Sequence, residues 1–287
     1  MSVAQAIRDA ATALAHTSDT ARLDAEVLMA HALGCSRSDV LLRHMQGRAP
    51  DGFAGLVERR LVHEPVAYIV GSQEFYGLDL TVSPAVLIPR GDSETLIEGA
   101  RDSLADCPPR RVIDLGTGSG ALLLAALSIW PGAEGIGIDR SAEALAVASA
   151  NGARHAPTAR FALADWTHDG WNGGLGQFDL ILANPPYIED AADLAPSVRA
   201  HEPAGALFAG PDGLDDYRLL VPQLPALLTE NGIAMIEIGW TQAEAVMTLA
   251  HRAGMTAILH HDLAERPRAV EMAKKRNIPL GKAGRDD

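Results

Sequence analysis

The chain predicts an α/β protein: a doubly wound sheet that carries the chemistry, preceded by a small helical bundle and joined to it by a β-hairpin. Three observations predict this. From Asp92 onward, apolar runs of strand length alternate with segments of helical periodicity, as in a sheet covered on both faces. One run, residues 111–115, enters a glycine-rich turn and then an apolar helix. Ahead of residue 65, by contrast, apolar positions recur only at helical spacing.

The first part, residues 1–65, places Val3, Ile7 and Leu14, then Leu23, Val27 and Leu28, then Leu56 and Leu61 on stripes that form a bundle core. Asp19 or Thr20, and Asp51, can begin helices. Arg37, Arg43, Arg48, Arg59 and Arg60 are nearly balanced by acids and read as solvated surface; a docking face for a protein partner is the alternative. The second part, residues 66–90, alternates like a hairpin around Tyr76-Gly77. The third, residues 91–287, holds the sheet. Its strands 134–138, 159–164 and 178–183 end at Asp139, Asp165-Trp166 and Asn184. A helix is expected from Asp212-Gly213 to residue 228. Asn231-Gly232 then turns into an apolar strand over 233–238, followed by a helix and two shorter strands. Residues 284–287 are expected to be disordered.

Composition narrows the function classes. At 287 residues and 47% hydrophobic, the chain can bury a full α/β core with a small second domain. Two cysteines, Cys35 and Cys107, fit neither a disulfide framework nor a metal cluster. The opening residues have no charged-then-apolar leader and no run reaches membrane-spanning length, so a cytoplasmic protein away from membranes is expected. A net charge of −13, with lysine only at 274, 275 and 282, opposes tight binding to a phosphate backbone. His260-His261 alternate across a strand and imply no metal.

The most informative stretch is Asn184-Pro185-Pro186-Tyr187, at the end of an apolar strand. Two prolines fix φ and donate no hydrogen bond, so the loop is rigid, and Pro185 biases Asn184 away from the helical region. A carboxamide offers a donor and an acceptor in one plane, which suits gripping a planar nitrogen group. The turn Gly116-Thr117-Gly118-Ser119-Gly120 allows close ligand approach ahead of a helix N-terminus. Gly116-x-Gly118-x-x-Ala121 also satisfies a dinucleotide fingerprint, and Asp139 at the next strand end suits a ribose of either cofactor type. Asp114 separates them, because its carboxylate would meet an ammonium favourably and repel a pyrophosphate. Trp166 can cover an adenine face while Asp165 accepts from its amine. For each acid, helix capping is the structural alternative.

Asp114-Leu115-Gly116-Thr117-Gly118-Ser119-Gly120 paired with Asn184-Pro185-Pro186-Tyr187 resembles the class I S-adenosylmethionine-dependent methyltransferases acting on amide or exocyclic amine nitrogens. Over nearly its whole length the chain resembles the release factor glutamine methyltransferase family. Supporting stretches are Gly71–Gly77 leading to Val86–Arg90, Glu202-Pro203 with Asp212-Gly213-Leu214, and Asp262-Leu263-Ala264 with Arg268. Two departures are Gly91, where the family usually has proline, and His201, where it more often has an aromatic. The resemblance implies a seven-stranded Rossmann-like methyltransferase sheet over residues 91–287, a substrate-docking role for residues 1–65 and a hairpin linker over 66–90. It implies S-adenosyl-L-methionine held by Asp114, the 116–120 turn, Asp139, Asp165, Trp166 and Asn184. It implies as substrate the glutamine of the Gly-Gly-Gln loop in class 1 peptide chain release factors, bound at Asn184, Pro185, Pro186 and Tyr187. A ribosomal-protein glutamine, a DNA adenine or a non-catalytic scaffold role are the rivals.

An amide nitrogen is a poor nucleophile because its lone pair is delocalised, so positioning is the economical route to transfer. The Asn184 side-chain oxygen and the Pro185 carbonyl are expected to accept the two N–H bonds of the target amide, with Tyr187 packed on its plane. Asn184, Pro185 and Tyr187 are therefore the expected catalytic residues.

Overall fold

The structure, a computed structural model, describes residues 1–275; the expected disorder of 284–287 lies outside them. The N-terminal bundle comprises α1 (Val3–Leu14), α2 (Ala21–Leu33), the short α3 (Arg37–Asp39) running into a π-helical turn, α4 (Phe53–Leu61) and α5 (Val66–Val70). Val3, Ile7, Leu14, Leu28 and Met29 are fully buried against Phe53 and Ile69. The Ser2 hydroxyl caps α1 by accepting from Gln5 N–H at 3.2 Å, a cap that contributes about 1 kcal/mol.

Three expectations change here. Leu23, expected in the core stripe, is 43% exposed, because the buried face of α2 runs through Asp24, Ala25 and Leu28. Arg60, expected at the surface, is buried: its Nε donates to Asp24 Oδ2 at 2.8 Å, and Ser18 and Thr20 hydroxyls satisfy the same carboxylate. The hairpin is shorter than 66–90, since α5 places Ile69 in the bundle core. It consists of β1 (Ser72–Phe75) and β2 (Leu78–Thr81), paired antiparallel. Tyr76 and Gly77 both take positive φ, 51° and 77°, as a two-residue turn that follows the strand twist requires.

The main sheet contains β3 (Arg111–Leu115), β4 (Glu134–Asp139), β5 (Arg160–Leu163), β6 (Phe178–Ala183), β7 (Leu228–Glu237), β8 (Met255–His261) and β9 (Pro267–Lys274). Its order is β5-β4-β3-β6-β7-β9-β8, with β9 antiparallel to both neighbours and the other pairs parallel. Alternation sorts the core. Val112, Leu180 and Leu182 pack with α6 (Glu94–Ser103) and α7 (Ala121–Ile129). Ile113, Leu115, Ile181 and Ala183 face the other layer. On β4 and β5, α8 (Ala142–His155) packs closest, while α9 (Pro196–His201) lies in the long connection after β6. The helix expected over 212–228 is broken into α10 (Asp215–Leu220), a 3₁₀ turn and α11 (Leu224–Leu227). Pro222 and Pro225 remove backbone donors there. β7 starts at Leu228, and its pairing to β6 jumps from Phe178↔Leu228 to Leu180↔Ile233, so residues 229–232 bulge opposite Asp179. α12 (Ala243–Arg252) precedes the last hairpin. Among the described residues, no helix is long and apolar enough to cross a membrane.

Candidate active site

The chain builds β3 first, moves outward to β4 and β5, then returns to lay β6 on the other side of β3. The crevice at that reversal, beyond the carboxyl ends of the strands, is where such sheets bind ligands. Leu115 pairs with Ala183, so the 116–120 turn and Asn184 leave the sheet side by side. One cleft is lined by Asp114, Gly116, Thr117, Gly118, Ser119, Asp139, Trp166, Asn184 and Pro186.

Asp114 is 1% exposed. Its Oδ2 accepts from Thr117 Oγ1 at 2.7 Å, while Oδ1 is buried without a partner. Burial pushes its carboxyl up to about 7, and the nearby Asp139 charge pushes the same way. A carboxylate among the lining residues of a ligand-sized cleft fits a cationic group. Gly116 has φ 74°, and a Cβ there would stand 3.0 Å from Trp166 Cη2, so the turn needs glycine both for conformation and for the close indole. Gly120, φ 85°, is the N-cap of α7 and lies outside the cleft lining. Asp139 combines capping with site lining: Oδ1 accepts from Ser141 N–H and Oδ2 from Gly118 N–H, both at 2.9 Å. A carboxylate has about four acceptor positions, so capacity remains for a hydroxyl pair.

Trp166 is held by Asp216, which accepts its Nε1–H at 3.1 Å. Asp165 lies outside the cleft lining; its Oδ1 closes a local turn by accepting from the Thr167 N–H and hydroxyl at 2.9 and 2.7 Å. Pro185 and Tyr187 also stand outside that lining. Among the described residues, the Asn184 carboxamide makes no hydrogen bond, although Pro185 and Pro186 beside it are buried. The Tyr187 hydroxyl reaches Glu237 Oε1 at 3.4 Å, and burial raises its pKa. Glu237 is itself buried, which pushes its carboxyl up to about 7 against the opposing pull of Ser93 and Arg268.

Several framing residues carry no assigned role in the sequence reading. Glu202 joins two covers of the cleft: its Oε2 accepts from Ile88 N–H at 3.2 Å and its Oε1 bonds Arg90. Arg140 bonds the Gly205 carbonyl on the same side. Asn151, fully buried on α8, donates to Ser119 O and Thr81 O and accepts from Thr81 N–H, all within 2.9 Å. The glycine turn, α8 and the hairpin thus share one amide. His201, a departure from the resembled pattern, bonds the Val62 carbonyl across to the bundle at 3.1 Å.

Residues 93–200 match the Methyltransferase small domain, and residues 5–71 match the PrmC N-terminal domain. Together the sheet order, the glycine turn and the methyltransferase domain define a methyltransferase of the Rossmann-like class. The chain is 42% identical over 257 residues to the release factor glutamine methyltransferase of Xylella fastidiosa (strain 9a5c), covering 87% of this chain and 92% of that protein. It is 41% identical over 248 residues to the enzyme of the same name from Geobacter sulfurreducens, covering 82% and 83%. The chain belongs to the release factor glutamine methyltransferase family. The hMettl16 catalytic domain, crystallised in complex with MAT2A 3′UTR hairpin 6, shares the fold at a TM-score of 0.54 and 13% identity, over 79% of this chain and 83% of that one.

Proposed function

We propose that this enzyme transfers a methyl group from S-adenosyl-L-methionine to the side-chain amide nitrogen of the glutamine in the Gly-Gly-Gln loop of class 1 peptide chain release factors, and so modulates translation termination. The observation that carries this is the Asn184 carboxamide, without a hydrogen-bond partner among the described residues, on a loop stiffened by two prolines, at the wall of a cleft that Asp114 and Asp139 also line. The curated relatives' shared name points the same way.

Asp114 would hold the cofactor's ammonium, Asp139 its ribose hydroxyls and Trp166 an adenine face, with the turn from Gly116 to Gly120 giving close backbone approach. Asp165 would offer the adenine amine its Oδ2, since both turn contacts fall on Oδ1. When bound, the cofactor supplies an electrophilic sulfonium methyl. Asn184 Oδ1 and the Pro185 carbonyl accept the target amide's two N–H bonds, which aims the nitrogen lone pair and favours positive charge building there. Pro186 and Tyr187 shape the surroundings of the amide plane, and the surplus proton leaves to water. Residues 1–65 would dock the substrate protein far from the methyl group.

The test is Asn184→Ala, assayed for methyl transfer and, separately, for cofactor binding by calorimetry. Turnover should fall at least 100-fold while cofactor affinity changes only a few-fold; unchanged turnover would remove Asn184 from the mechanism.

A further inference from the structure

One side-chain amide ties the Asn184–Tyr187 loop to two others, at Gly213 and Gly239. Gln242 sits just ahead of α12. Its Nε2 donates to the Tyr187 carbonyl at 3.0 Å and to the Gly213 carbonyl at 3.1 Å. Its Oε1 accepts from Gly239 N–H at 3.0 Å. Both amide hydrogens and the oxygen are therefore committed to backbone, one contact in each loop.

The slot around this amide admits little else. A Cβ on Gly213 would stand 2.3 Å from the Tyr187 carbonyl oxygen and 2.8 Å from Gln242 Nε2. A Cβ on Gly239 would stand 2.8 Å from Gln242 Oε1 and 3.5 Å from Tyr187 Cδ2. Backbone that approaches this closely on two sides leaves the amide a narrow choice of orientation. Strand β6 fixes the chain entering Asn184, and Pro185 and Pro186 fix two φ angles beyond it. Ile188 is paired to Leu207 and Ala209 just beyond, and Gln242 grips the main chain between these anchors, at the Tyr187 carbonyl.

We propose that Gln242 is a positioning residue for methyl transfer, acting through the Tyr187 carbonyl to hold the Asn184–Tyr187 loop in the geometry that presents the Asn184 oxygen and the Pro185 carbonyl to the target amide. This role rests on the reading of Asn184 given above. Gln242 lies outside the cleft lining, so its effect on rate separates from an effect on binding. Angular and sub-ångström errors at a reacting centre cost rate far more than affinity.

Two variants test it in the full-length enzyme. Gln242→Met keeps the length and removes all three hydrogen bonds. Gln242→Glu keeps the acceptor for Gly239 but turns an oxygen toward two carbonyls. Both should lower kcat about 10- to 100-fold, with cofactor Kd and KM within about threefold, at a temperature where far-UV circular dichroism shows full folding. Gln242→Glu should be the more damaging. A kcat within twofold of wild type in both variants would overturn the proposal. Hydrogen exchange read by mass spectrometry gives a second answer that needs no turnover. Peptides containing Ile188, Gly213 and Gly239 should exchange at least fivefold faster in Gln242→Met, and unchanged exchange would also overturn it. Should the wild type transfer no methyl group, the functional reading fails alone, and the exchange data still decide whether Gln242 holds the loop.

Discussion

Asp114 accepts a hydrogen bond from the Thr117 hydroxyl at 2.7 Å on one oxygen and leaves the other buried and unpartnered. The pair sits where strand β3 becomes the glycine turn, at the wall of the cleft.

Cofactor binding should therefore carry a proton signature. The Asp114 carboxyl is pushed up to about 7 by burial, and an ammonium favours its ionised form. Below pH 7, binding must expel that proton, so affinity should weaken as pH falls, toward about tenfold per pH unit for one linked proton. Calorimetry in buffers of different ionisation enthalpy checks this. Asp114→Asn should abolish the pH dependence and weaken binding at least tenfold; a flat wild-type profile would refute the role.

Stability should respond to pH through the same group and through Glu237, also pushed up to about 7 by burial. A carboxyl whose folded pKa is raised contributes stability below its unfolded pKa and loses it as pH rises through the folded value. Each should cost on the order of 3–4 kcal/mol between about pH 4 and pH 8. The carboxylates held low by partners, such as Glu26, Glu64 and Glu271, act in the opposite sense and only in acid. Urea titrations at pH 5 and pH 8 should show wild type losing stability, and Glu237→Gln should remove about half of that loss. An equal loss in the variant would show that Glu237 stays ionised.

Glu202→Ala should loosen the cleft. It strands the Ile88 N–H and frees Arg90, an unsatisfied buried donor costing about 1–3 kcal/mol. Cofactor affinity should drop about 5- to 10-fold, measured by calorimetry, with a lower melting temperature. A change in neither would mean that the two covers hold without the clamp.

In the bundle, Arg60→Ala should destabilise by about 3–5 kcal/mol, because it leaves Asp24 buried with its charge uncompensated. Arg60→Ala/Asp24→Ala should recover part of that loss in chemical denaturation. Additive losses would contradict the pairing.

What the sequence reveals here is local. Asp139 and Asn184 each close an apolar strand, and Asp114 sits one residue short of the end of another, so their convergence follows from strand alternation and the parallel order of β4, β3 and β6. The 116–120 turn is equally legible, since positive φ at Gly116, Gly118 and Gly120 is what glycine at those positions predicts. Residues whose partners lie far along the chain escape such reading. Asn151 meets Thr81, Gln242 meets Tyr187, and Asp216 meets Trp166, and nothing within a few residues of each marks the encounter. Arg60 looks like any surface arginine until Asp24 is placed beneath it. Leu23 shows the converse: an apolar spacing that fits a stripe, overridden by an ion pair that takes the buried face.

The most direct test of the central claim is mass spectrometry of unmethylated class 1 release factor incubated with the enzyme and S-adenosyl-L-methionine. The account predicts one added methyl on the glutamine of the Gly-Gly-Gln loop, absent with Asn184→Ala. Cofactor binding with no methyl gained on that glutamine would contradict it.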